Sequence, residues 1–413
     1  MIERFLKYLF CILFLLFLTI SHVYSQWHRI TSNTSSRLNS IYFINENTGW
    51  ICGFESVLKT TNGGNTWSSN FLNGNHKSIY FNNINTGWIC GDNGRLYKTT
   101  DSGENWFLVN VNLNTSLNQI SFANEITGYI AGNMGTILKT TNSGMNWFNT
   151  INTNSVEDFH SLKIVNNEVI IATGTNSIIL KTTNSGSSWD STSFGVPNPL
   201  VTIDFVNENN GWVSGCCGMF LRTTNAGVNW TPEVFLTLGY TINSMTYLNE
   251  NFGWVAGDAG YILRTTNGGI SWDSLNSTTS SGLHSVFFIN KDTGFISGYN
   301  GLILKTTNGG GEGFPIGIEQ IVSAVPEEFS LHQNYPNPFN PVTHLEFGIP
   351  EMGLVSLKVF NISGIEVADL IDKYLYPGKY SVNFDGSNLS SGIYFYKLRT
   401  KNFVETKRMM LLK

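Results

Sequence analysis

Charge is scarce in this 413-residue chain. Asp, Glu, Lys and Arg together make 13% of it, about half the usual share of roughly 25%. That argues against a cytosolic helical enzyme, which would be rich in Ala, Glu, Lys and Leu. Basic residues do not outnumber acidic ones (24 against 29, net charge −5), so the footprint of a nucleic-acid binder is missing. Five cysteines are too few for a disulfide scaffold. After residue 25 no apolar run is long enough to span a bilayer. Disorder is excluded by 41% hydrophobic and 13% aromatic residues. What abounds is Asn (50), Gly (41) and Trp (11), the composition of many short strands joined by tight turns.

Residues 1–25 read as a signal peptide. Arg4 and Lys7 precede an apolar stretch from Tyr8 to Ile20, and Val23-Tyr24-Ser25 offers small or aliphatic side chains for cleavage before Gln26. The apolar stretch is shorter than the ~20 residues of a spanning helix. The expected product is exported and has no membrane span.

Self-similarity organises the remainder of the chain. The phrase Lys59-Thr-Thr-Asn-Gly-Gly-Asn-Thr-Trp67 returns from Lys98, Lys139, Lys181, Arg222, Arg264 and Lys305, at spacings of 39, 41, 42, 41, 42 and 41 residues. About ten residues before it stands Gly49-Trp50-Ile51-Cys52-Gly53, matched at Gly87, Gly128, Gly211, Gly253 and Gly294 and degenerate in the fourth copy. An apolar strand opens each unit. Four short strands per ~40 residues, with no helical period, predict an all-β propeller. The seventh phrase lacks its Trp, while an unpaired strand, Trp27-His-Arg-Ile30, precedes the first. Seven of every element exist only if Trp27 supplies the outer strand of the last blade. The reading is a seven-bladed propeller over 26–310, closed by its own N-terminal strand.

The Thr-x-Asn-x-Gly-x-Thr-Trp pattern resembles the Asp-box repeat: Asn or Asp bonds its own turn, Gly permits positive φ, and Trp buries a large ring. Seven copies at one place per blade make the motif architecture rather than seven catalytic sites. With the Gly-Trp phrase it is similar to the propeller family of the photosystem II stability and assembly factors of plants and cyanobacteria. In that role members carry a basic patch, whereas here Arg29, Arg37 and Arg95 are scattered, so photosynthetic assembly does not carry over.

From Phe329 the grammar changes. Residues 311–328 read as a linker. Asn334-Tyr335-Pro336-Asn337-Pro338-Phe339-Asn340-Pro341 is expected to be a rigid extended strand, followed by period-two strands punctuated by Gly364, Gly378 and Gly392. A small β-sandwich over 329–413 fits. The segment closely resembles the type A C-terminal sorting domain of type IX secretion. The resemblance is carried by Tyr335, Pro336, Asn337, Pro338, Gly364, Gly392 and the basic-apolar end from Lys407 to Lys413. It implies recognition by the outer-membrane translocon and its sortase through 329–413, and delivery to the surface or the medium.

Catalytic patterns are not evident. Arg222 and Arg264 fill the position Lys occupies in other copies, so they are not a sialidase triad. Asp92, Glu157, Asp158 and Asp258 allow paired-carboxylate chemistry in principle, which keeps a secreted glycoside hydrolase as the alternative to a binding module. No cofactor or metal site is expected. Cys52 and Cys90 read as buried thiols in neighbouring blades, and Cys216-Cys217 admits a vicinal disulfide. Propellers bind on the face carrying the mouths of the inner strands and the turns between second and third strands. Here that face offers Asn39, Lys77, Asn118, His160, Val201, Asn243 and His284, with Asp92, Asp258 and Tyr299 in the turns. A protein or glycan is the expected ligand.

Overall fold

The computed structural model describes residues 27–151, 156–232, 240–269, 272–311, 314–315, 318–322, 326–351, 353–375 and 378–413. The expected signal peptide and its cleavage site lie outside these residues.

The repeat folds into seven four-stranded antiparallel units. Blade three shows the plan: an inner strand Leu117–Phe122, then Gly128–Gly132, Thr136–Thr140 and an outer strand Phe148–Asn149. In blade one the second and third positions merge into Gly49–Thr60, and the outer strand continues into the inner strand of blade two as Ser68–Phe81. Buried side chains fall at the first, fourth and sixth positions of the inner strands Leu38–Phe43, Leu117–Phe122, Ile242–Tyr247 and Leu283–Phe288. A bulge between Leu38 and Ser40 accounts for the departure from strict alternation.

Trp27 completes the ring as expected. His28–Ile30 pairs antiparallel with Ile303–Thr306, matching His28 to Lys305 and Ile30 to Ile303. The indole is fully buried, set edge-on to Phe288 at 5.9 Å. Trp67 on Phe43, Trp106 on Phe81 and Trp147 on Phe122 repeat that geometry.

Three layers of contact join neighbouring blades. Innermost, a serine on one inner strand accepts the backbone N–H of the next: Ile79 to Ser40, Ile120 to Ser78, Ile203 to Ser161, Val286 to Ser244, and Ile41 to Ser285 at the closure. In the middle, at the five interfaces where both rings are present, the aromatic of the Gly-Trp phrase stacks on the inner-strand ring of the following blade. Trp50 lies 3.5 Å from Phe81, Trp254 3.7 Å from Phe288, and Phe295 4.4 Å from Phe43. The preceding Gly is needed because a Cβ on Gly87 would meet the Phe81 ring at 2.6 Å. Outermost, the Lys of one phrase donates to the turn of the next blade, as Lys98 does to Ser143 O (2.7 Å), Lys139 to Ser185 O (2.6 Å) and Lys305 to Gly63 O (2.7 Å). Arg264 does the same to Gly311 O, and Arg222 lies over the Trp212 ring, so both serve the repeat.

Each such turn is self-bonded. In the first, Gly64 N–H donates to Thr60 Oγ1 and Thr66 N–H to Asn62 Oδ1, both at 3.0 Å.

The interval 311–328 carries two short strands. Phe314–Pro315 adds to the outer edge of blade six, and Ile318–Val322 pairs with Gly378–Asp385. The latter belongs to a sandwich of two four-stranded sheets. One sheet holds Ile318–Val322, Gly378–Asp385, Val342–Ile349 and Ser330–Leu331. The other holds Glu366–Leu375, Gly353–Asn361, Gly392–Arg399 and Val404–Leu411. Leu345, Phe347, Val355, Leu357, Tyr396 and Leu411 fill the space between them.

Candidate functional site

The seven inner strands enclose an axial funnel of about 380 Å³. Asn39, Lys77, Asn118, His160, Val201, Asn243 and His284 all line it, one from each blade. The second-to-third-strand turns reach the same rim. Lys77 Nζ lies 3.0 Å from Asp92, Asn118 donates to Asn133 at 2.6 Å, Asn243 donates to Asp258 at 2.9 Å, and the His284 ring meets Tyr299 edge-on at 4.3 Å.

Architecture uses several of these groups. Asn39, Asn118 and Asn243 each donate to a backbone carbonyl of the following blade, at His76 (2.6 Å), Phe159 (2.7 Å) and Leu283 (2.9 Å). Lys77 also donates to Asn118 Oδ1. Burial pushes the Asp92 carboxyl upward, but donors from Ser116, Asn75 and Lys77 outweigh it and hold the pKa below the usual carboxylate range. Deeper in the funnel Asp204 takes Lys163 Nζ at 2.6 Å and the Tyr247 N–H at 2.8 Å.

The two histidines differ from these. Burial lowers the pKa of His160, with the Lys77 charge acting in the same direction against Asp158. Burial and the Arg37 charge bring His284 down to about 4 against Asp258. Both are neutral near pH 7. His284 Nε2 is buried without a hydrogen-bond partner. Arg37 lies over the Tyr299 ring at 5.3 Å while its Nε donates to Asn39. The rim is thus polar, nearly charge-balanced and aromatic on one side. Arg37 was not singled out by its position in the sequence; its place just before Asn39 is the available signal. Among the described residues no cluster of three or more His, Cys, Asp or Glu could hold a metal.

The proline-rich segment of the sandwich corrects one expectation. Residues 335–341 form bends with isolated bridges at Tyr335–His344 and Phe339–Leu411, not an extended strand, and the peptide bonds before Pro336 and Pro338 are cis. Buried Asn334 folds the chain back by donating to Pro336 O and Thr343 Oγ1, while its N–H reaches Tyr396. Phe339 is buried and bonds the last strand through Met410 O. Tyr335, Pro336, Asn337 and Pro338 are left as an exposed ridge, with Asn337 Oδ1 accepting the Met410 N–H. Gly364 is left-handed (φ 75) in the turn after Asn361, Gly392 opens a strand, Lys407 pairs with Glu405, and the Lys413 N–H donates to Ser391.

These features define a closed seven-bladed propeller with a polar axial mouth, followed by a β-sandwich. The family model of the photosynthesis system II assembly factor YCF48 matches residues 20–118, 105–199, 192–280 and 231–307, most of the chain. The chain belongs to this YCF48-like propeller family. Residues 333–412 match the secretion system C-terminal sorting domain, which marks the chain for export to the cell surface or beyond. Among solved structures, YCF48 bound to a D1 peptide superposes with a TM-score of 0.60 at 23% identity, covering 69% of this chain and 98% of that one. YCF48 from Cyanidioschyzon merolae gives 0.57 at 20% identity, covering 68% and 98%. The GH74 xyloglucanase from Xanthomonas campestris gives 0.58 at 8% identity, covering 78% and 59%. At these identities the likeness is one of fold. No curated protein matches the sequence. No helix among the described residues is long and apolar enough to cross a membrane.

Proposed function

We propose that the chain is a surface-delivered, non-catalytic binding module whose propeller receives a polypeptide segment of a partner at the axial mouth. The observation that carries this reading is the convergence of Lys77, His160, His284 and Arg37 on one funnel mouth whose carboxylates are already engaged. A paired-carboxylate hydrolase needs one acid poised to give a proton and a second free to act as base or nucleophile. Asp92 is held ionised by three donors and Asp204 is tied to Lys163. The peptide-bound YCF48 structure supports a polypeptide ligand by analogy of fold.

The two parts divide within 311–328. The sandwich acts as the export signal, with the ridge Tyr335–Pro338 and the terminal strand from Lys407 to Lys413 as the surface read by the translocon and sortase; Gly364 and Gly392 shape the turns around it.

The test is capture of envelope proteins on the purified chain, in parallel with a glycan array and a polysaccharide hydrolysis panel. A protein partner should be retained by wild type and lost from the Lys77→Ala, His160→Ala, His284→Ala triple variant. Retention by the triple variant refutes the site. Turnover of a polysaccharide abolished by Asp92→Asn or Asp258→Asn refutes the non-catalytic reading.

A further inference from the structure

All seven turns between second and third strands hold their second residue left-handed, with φ between 51 and 60 at Glu55, Asn93, Met134, Asn176, Cys217, Ala259 and Asn300. The backbone bonds that close them are shared too. In blade five Cys216 N–H donates to Pro199 O (3.1 Å) and Met219 N–H to Cys216 O (3.2 Å). In blade six Asp258 N–H donates to Thr241 O (3.0 Å) and Tyr261 N–H to Asp258 O (3.1 Å). Asp-Ala-Gly and Cys-Cys-Gly therefore build the same turn, and the thiols are not required for it. In blades two, three and six the first turn residue also holds a polar inner-strand partner: Asp92 with Lys77, Asn133 with Asn118, Asp258 with Asn243. In blade five the corresponding residues are Cys216 and Val201, a pair with no such hydrogen bond to make. The sulfurs of Cys216 and Cys217 instead touch each other, 2.6 Å apart. Cys216 is half-buried and Cys217 exposed, whereas Cys52 and Cys90 are fully buried.

We propose that Cys216-Cys217 is a thiol–disulfide exchange site on the propeller rim, whose substrate class is a small external disulfide. The exposed Cys217 thiolate attacks one sulfur of that disulfide. A mixed disulfide forms, and the first small thiolate leaves and takes up the proton Cys217 gave. Cys216, deprotonated in turn, attacks Cys217 Sγ, closing a bond between the neighbours and releasing the second small thiol with the second proton. Two protein thiols are oxidised and one external disulfide is reduced. Export takes the chain to a compartment where such disulfides persist.

The test uses the full chain equilibrated with oxidised glutathione, quenched with N-ethylmaleimide and digested with trypsin. Peptide 182–222 contains Cys216 and Cys217 as its only cysteines. It should lose two hydrogens and carry no maleimide, and dithiothreitol before the quench should restore both adducts. Cys216→Ser should stop with one glutathione on Cys217. Retention of both maleimide adducts by wild type after oxidation would overturn the proposal. So would arrest of wild type at the mixed disulfide, or a bond between two chains.

Discussion

The ring closure makes the sharpest prediction, because one residue at the start of the described chain is asked to finish a blade whose other strands run from Leu283–Phe288 to Ile303–Thr306. The Trp27 ring is buried between Trp254, Ile262 and Leu275 of blade six and Phe288, Ile296 and Leu304 of blade seven. Removing a buried Phe or Trp side chain costs about 3–5 kcal/mol through lost transfer energy and the cavity left behind. Trp27→Ala should therefore lower the urea-unfolding free energy of the propeller by about that amount. His28, exposed in the same strand, should stay within ~0.5 kcal/mol when changed to Ala. Tryptophan emission is a clean assay, since all 11 tryptophans lie in the repeats and none in the sandwich. A Trp27→Ala chain within about 1 kcal/mol of wild type would show that the strand is not part of the folded ring in solution.

Other expectations rest on the same contacts. Gly87→Ala sets a methyl 2.6 Å from the Phe81 ring and should cost about 1–3 kcal/mol by overpacking, read from the same emission transition; an unchanged midpoint would contradict the packing. Asp101 is held at about 2, first by the Asn105 N–H, then by the Asn105 amide and Thr99 hydroxyl. This lies below the unfolded value of about 3.9, so its contribution is complete above about pH 4 and is lost as pH falls toward about 2. Asp101→Asn keeps the turn without the titration, and wild type should lose stability more steeply than the variant across that window; parallel profiles would refute the assignment. Asn334→Ala strips buried donors from Pro336 O and Thr343 and should destabilise the sandwich by about 1–3 kcal/mol, measured by near-ultraviolet circular dichroism, and reduce the exported fraction of the chain.

Much of the architecture was legible because it is written seven times. Spacing placed the Gly-Trp and Lys-Thr-Thr-Asn phrases, and the lone Trp27 strand fixed both blade number and closure. The serine layer was not legible. Ser40, Ser78 and Ser161 sit among apolar residues and carry no local signal; their partners, Ile79, Ile120 and Ile203, are about one repeat away. The Lys contacts were hidden for the same reason, since Lys98 meets Ser143 45 positions on. The rim positions were legible as a set, because they vary where the rest repeats, but the hydrogen bonds of Asn39, Asn118 and Asn243 across blades required coordinates. In the tail, prolines signalled restricted backbone correctly, yet the direction of the chain depends on Asn334, whose role shows only in its contacts.

The contrast between layers bears on where recognition can evolve. Serine stitches, stacked rings and Lys-to-turn bonds recur with similar residue types at most interfaces, since each must fit the same kind of neighbour, and Gln119 takes the serine's place between blades three and four. A change in any of them removes a contact between blades, and in the stacked rings a fully buried one that costs stability. At the rim the backbone bulge and the left-handed turn supply the geometry, and the side chains are asparagine, lysine, histidine or valine. Where asparagine is present it bridges blades, but Val201 and the two histidines occupy the same position without that bond. The interface holds in either case, so the inner and outer layers carry it. The mouth of the funnel is the place where composition can follow a ligand at small cost to the ring.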